Sequence, residues 1–206
     1  MRKPVFLVRG PVVGLALLAA CTGPGTPEGG SPSRSPAPSE VSTTTLSPTG
    51  YYVRTCEQKV YGDLGKDWRD RSVVVGPIAF VGLPFAATAP RREFVPDKDG
   101  FKSVKALAVV DRGTEVTVSV PRDDRGHLAL LYDPEAFNSR QIADGDTEVT
   151  FRACPKGDPS FPGPTQFNGS FIVDGPQCAT LEVRVGDGLL RRVDVSLGRG
   201  TCAGSA

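Results

Sequence analysis

Histidine, tryptophan and methionine each occur once in this 206-residue chain, and isoleucine and asparagine are scarce. A single histidine, His127, leaves no His-rich metal cluster to build, and no two cysteines stand in the C-x₂₋₄-C spacing of a zinc site. A nucleophilic hydrolase is equally hard to assemble. There is no G-x-S-x-G elbow, and His127 follows a turn at the polar parity of a strand, where a solvated residue is expected. Gly-rich phosphate loops are missing. The formal charge is only +1, and the arginines, which outnumber lysines 17 to 7, are scattered among acids, so no nucleic-acid surface is expected. No apolar run approaches the roughly 20 residues that a membrane-crossing helix needs.

What the N-terminus does contain is Arg2, Lys3 and Arg9, followed by an uncharged, mostly apolar stretch from Pro11 to Ala20. A charged segment and then a short apolar one is the pattern of a signal peptide, expected over 1–20. Its end, Leu18-Ala19-Ala20-Cys21, resembles the lipobox of bacterial lipoproteins. That resemblance implies a lipidated Cys21 and a cell-membrane location, anchored on the extracytoplasmic face. Two or more acyl chains hold a protein there where one only visits, because each buried CH₂ contributes about 0.8 kcal/mol. Removal of the three charges of 1–20 takes the formal charge from +1 to −2.

From Thr22 to Gly50, 23 of 29 residues are Gly, Pro, Ser or Thr. With so little apolar surface to bury, residues 21–50 read as a lipidated Cys and a disordered linker. As a coil at about 5–6 Å × √n, that linker holds the following domain roughly 30 Å from the lipid.

Residues 51–206 read as one all-β domain. Val116, Val118 and Val120 alternate with Thr117 and Ser119, and Leu128, Leu130 and Tyr132 repeat the pattern after the Asp123-Asp124-Arg125-Gly126 turn. Val149, Phe151 and Ala153 form another such set. Leu181, Val183 and Val185 face Val193, Val195 and Leu197 across Gly186-Asp187-Gly188, a hairpin signal. Ser72 to Leu83 is apolar on both parities, with Gly76-Pro77 implying a bulge or edge position. Phe101 to Val110 and Phe167 to Val173 complete about eight strands, predicting an antiparallel two-sheet β-sandwich, Ig-like or jelly-roll.

Besides Cys21 there are four cysteines, Cys56, Cys154, Cys178 and Cys202, an even set that in an exported domain implies two disulfides. Three connectivities are open. Cys154–Cys178, closing a Pro- and Gly-rich excursion, with Cys56–Cys202, tying the domain ends, is the arrangement the chain order favours.

Trp68-Arg-Asp-Arg-Ser-Val-Val-Val-Gly-Pro-Ile-Ala-Phe80, Val149-Thr-Phe-Arg-Ala-Cys-Pro155 and Gly175-Pro-Gln-Cys178, in this order behind a lipobox, resemble segments of an uncharacterised family of actinobacterial secreted lipoproteins. The resemblance spans most of 56–202. It implies export and fold, and brings no activity with it.

The functional candidate is Trp68, which with Tyr51, Tyr52 and Tyr61 forms an aromatic group near the start of the domain, as a stacking platform or as a plug of the core. Acidic residues fall mainly in turns, and Asp97-Lys98-Asp99-Gly100 lacks the remaining ligands of a calcium loop. Asn168-Gly169-Ser170 matches a glycosylation sequon. The expectation is a non-catalytic module without cofactor that binds a cell-wall or envelope partner. A carboxylate-type enzyme acting on cell-wall glycan, or an assembly subunit of an envelope complex, stands as the alternative.

Overall fold

A computed structural model describes residues 50–157 and 162–202. The expected signal peptide, Cys21 and the linker lie outside the described residues.

The described residues form twelve strands and one short α-helix, with short 3₁₀ turns between them: β1 (Tyr51–Arg54), β2 (Ser72–Val75), β3 (Ile78–Val81), α1 (Leu83–Thr88), β4 (Lys102–Lys105), β5 (Leu107–Val110), β6 (Glu115–Ser119), β7 (Leu128–Leu131), β8 (Glu148–Arg152), β9 (Thr165–Phe167), β10 (Ser170–Val173), β11 (Gln177–Val185) and β12 (Leu190–Leu197). Hydrogen bonding groups them as β1-β8-β6-β11-β12, β2-β3-β5-β9 and β4-β10-β7. The last two groups form a single surface. β4 pairs with β10, and β5 with β9, in one unbroken register, and Ala106 N donates to Gly169 O (3.1 Å) across the gap between them. The fold is therefore all-β, with two sheets face to face.

Three of the eight expected strands are pairs of shorter ones. Ser72 to Leu83 is a hairpin: Gly76, at φ +58°, turns the chain ahead of Pro77, so Val75 pairs with Ile78. Gly at the first central position is what a type II′ turn requires, and the turn replaces the expected bulge. Phe101 to Val110 divides at Ala106, and Phe167 to Val173 at Asn168 and Gly169. β1 supplies the twelfth strand. It lies parallel to β8, an exception to the expected antiparallel pairing, because no hairpin links the two and so none fixes their direction.

Between the sheets lie the alternating residues: Val116, Val118, Val149, Phe151, Leu181 and Val183 from one, and Ile78, Phe80, Val110, Leu128, Leu130, Phe167 and Phe171 from the other, nearly all fully buried. Aromatic rings fasten the centre. Tyr132 meets Phe151 edge-on at 5.0 Å, and Phe151 meets Phe167 at 5.3 Å, so the contacts run across the interface. Gly169 is the small residue that admits the Tyr132 ring, since a Cβ there would overlap the ring atoms.

All four domain cysteines are paired, as Cys56–Cys154 and Cys178–Cys202, which corrects the favoured connectivity. Strand register is the reason. β1 runs beside β8 with Arg54 opposite Phe151, so two residues further on Cys56 reaches Cys154, Cα to Cα 4.7 Å. At the other end Cys178 opens β11 opposite Ser196, and the chain leaving β12 turns back through Gly198 and Gly200, both at positive φ, to bring in Cys202. Neither arrangement follows from chain order, because β1 and β8 are neighbours only in space.

Two outcomes follow from this packing. Gly169→Ala is expected to cost roughly 2–4 kcal/mol in urea unfolding, and to combine non-additively with Tyr132→Ala, which vacates the space. Serine replacement of the Cys56/Cys154 pair, closing 98 residues, is expected to cost about 4–5 kcal/mol, against about 3–4 for the Cys178/Cys202 pair, closing 24, by the loop-entropy relation. Unfolding of the two double variants measures the order.

Candidate ligand groove

Trp68 is half-buried at the start of a 3₁₀ turn, Arg69–Arg71, ahead of β2. Its carbonyl accepts from Ser72 Oγ (2.6 Å) and Arg71 N (3.2 Å), which fixes the backbone beneath the indole. The ring neither plugs the core nor stands free in solvent. It lines a groove of about 560 Å³ with Arg69, Asp111, Arg112, Thr114 and Lys156. Arg69 lies over the indole, its guanidinium carbon 4.5 Å from the ring centroid, and reaches Asp111 Oδ1 at 3.9 Å.

Backbone bonds hold the opposite wall. Gly113 N donates to Cys154 O (2.8 Å), and Arg112 grips Pro155 O through Nε (3.1 Å) and a terminal nitrogen (2.7 Å). The Cys56–Cys154 disulfide thus anchors the segment that carries the groove wall. Tyr51, Tyr52 and Tyr61 do not join Trp68 there. Tyr52 accepts from Gln58 Nε2 (2.8 Å), and Tyr61 lies exposed near Lys59.

The groove has a definite place in the sandwich. At one end lies Gly50, just before β1, whose carbonyl accepts from Thr147 N and Glu148 N. The groove lies past the far end of the same strands, where Ala153 N bonds Thr114 O and Gly186 N bonds Glu115 O. Six residues of extended chain from Thr147 to Ala153 separate the two ends by about 20 Å. The β11–β12 turn shares the groove's end and carries Leu189, 89 % exposed, and Leu190.

The remaining chemistry-bearing residues are elsewhere and engaged. Exposed His127 hydrogen-bonds Asp174 through Nδ1, and that carboxylate raises the imidazole's pKa, with Asp124 adding to the effect. The pair closes the gap between the start of β7 and the loop after β10, where Gln177 Nε2 also donates to His127 O (2.9 Å). Asp97 accepts from Arg140 (2.7 Å) and from Asp99 N (3.0 Å), and Arg140 holds its pKa below the usual carboxylate range. Among the described residues, no group of three or more His, Cys, Asp or Glu is placed to hold a metal ion, and no helix is long and apolar enough to cross a membrane.

Two interior features carried no sequence signal. Arg54, 2 % exposed, donates to Tyr132 O (3.0 Å) and Gln58 O (2.9 Å) and lies between the Phe137 and Phe167 rings; burial lowers its pKa. Asp146 has its pKa pushed up to about 6, first by burial and then by the Asp133 charge, and its Oδ2 is enclosed without a hydrogen-bond partner.

The architecture is thus that of a disulfide-closed two-sheet β domain with an aromatic and basic groove at one end. No family model matches the chain, and comparison with curated proteins and with solved structures yields no match.

Asp146 sets a pH dependence. Between pH about 4 and 6 the folded state retains a proton that the unfolded chain has lost, so this group's contribution falls as pH rises through that window. Asp146→Asn removes the burdened charge. Urea unfolding is expected to show it stabilised by about 1–2 kcal/mol above pH 6.5 and little changed near pH 4.

Proposed function

We propose that this chain is a lipid-anchored, extracytoplasmic module that binds a component of the cell envelope through the Trp68 groove and performs no catalysis. The observation that carries the reading is position. Gly50 lies at one end of the strands and the groove at the other, so a linker running back from Gly50 to an acylated Cys21 would attach the domain at the end opposite the groove. Attachment at that end leaves the surface carrying Trp68, Arg69, Arg112 and Lys156 unobstructed by the linker. The indole gives a flat apolar face, and the basic side chains give directional donors beside it.

Support for the glycan-cleaving alternative is weaker. Its best acid candidate, Asp146, is the carboxyl with the raised pKa, but an enclosed oxygen delivers no proton to a substrate. Likeness to the actinobacterial lipoproteins supports the location of this module, and the two disulfides are in keeping with an oxidising compartment.

Retention of the full chain on isolated cell-envelope material tests the proposal. Trp68→Ala is expected to weaken it about tenfold, with a melting temperature within about 3 °C of the parent. Unchanged retention removes the groove from the function. In cells, globomycin is expected to make the precursor accumulate, whereas normal processing under the drug overturns the lipid anchor.

A further inference from the structure

A second hollow lies on the outward face of the β4-β10-β7 sheet and shares no residue with the Trp68 groove. Strand alternation produces it. Val104, Phe171 and Leu130 point into the sandwich, so Ser103 and Lys105 of β4 and Ser170 of β10 point outward. After β7 the chain folds over part of this face, and Phe101, Ala136 and Ile142 cover Ala129, Leu131 and Ile172. That cover stops short of β4. The uncovered remainder is a hollow of about 320 Å³ walled by Ser103, Lys105, Phe137, Asn138, Asn168 and Ser170.

Its polar lining is not used by the rest of the fold. Among the described residues, the side chains of Ser103, Asn138, Asn168 and Ser170 bond to no other group of the fold, although Ser170 is only 8 % exposed. Ser170 is nine-tenths buried yet lines the hollow, so its hydroxyl is available to a bound molecule. The walls are firm as well. Asp133 accepts from Glu135 N (2.9 Å) to set the Pro134–Ala136 turn, and Phe137 is held over the buried Arg54 guanidinium, 5.6 Å from its ring centroid.

We infer that this hollow is a binding site for a neutral saccharide. Two carboxamides and two hydroxyls, each able both to donate and to accept, match the paired hydroxyls of a sugar, which also donate and accept. The Phe137 ring offers an apolar face for the C–H side of a pyranose. One ammonium, from Lys105, is too little for a polyanion, and the hollow lacks the side-chain pockets by which an extended peptide is read. Its volume falls in the range of small-ligand sites, about 300–1,000 Å³.

Calorimetric titration of the full chain with maltotriose and with tri-N-acetylchitotriose tests this site. At least one is expected to bind at micromolar to millimolar concentration, and Asn138→Ala and Asn168→Ala are each expected to weaken it about tenfold. Trp68→Ala is expected to leave that affinity unchanged, which separates this site from the groove at the sandwich end. Because Asn138 is exposed, its substitution reports on binding and not on folding. Absence of binding by both sugars, binding indifferent to Asn138→Ala, or binding abolished by Trp68→Ala would each overturn the inference.

Discussion

The ring of Tyr132 is the point on which the two sheets depend. It fills the space over Gly169, packs edge-on against Phe151 of one sheet and Phe171 of the other, and donates its hydroxyl to Ala106 O (2.7 Å). Gly169 and Ala106 mark the interruption of the long β4–β5 and β9–β10 pair. A phenol there satisfies a carbonyl at the break while its ring supplies core volume, and burial pushes its pKa far up, so it stays neutral. The carbonyl of the same residue accepts from Arg54. Arg54 in turn supports Phe137, so a constraint at the centre extends to the outer face.

From that centre the two ends of the sandwich acquire different characters. Cys56–Cys154 ties β1 to β8 where the Trp68 groove begins, and the groove wall is held by Gly113 N donating to Cys154 O and the Arg112 side chain donating to Pro155 O. Cys178–Cys202 closes the other end of β11, beyond its contacts with β6. Gly50 lies beside Thr147, away from the groove. On the proposed reading, such a scaffold suits display, because loops held by cross-links and short hydrogen bonds lose little entropy on binding.

Much of the strand content was legible because alternation leaves a two-residue period that burial then enforces: Val116 and Val118, Leu128 and Leu130, Leu181 and Val183 are all inward, as their parity implied. Ser72 to Leu83 was harder, since apolar residues on both parities read equally well as one buried strand or two. A positive φ at Gly76 decided for two. Trp68 stood out by composition, but Asp111, Arg112 and Lys156, which complete its groove, are more than 40 positions away in the chain. Asn168-Gly169-Ser170 matched a glycosylation sequon by coincidence; in the fold its glycine makes room for Tyr132, and its two polar residues face a hollow.

The sequence by itself determined the all-β class, the alternating core faces and an even set of cysteines in the domain, because each is written in local period or composition. Tertiary structure alone decided which cysteines meet, which way β1 runs, and which polar side chains gather around the hollow on the outer face. Those depend on register between strands distant along the chain, and register is set by the joint packing of both sheets, which no local segment encodes.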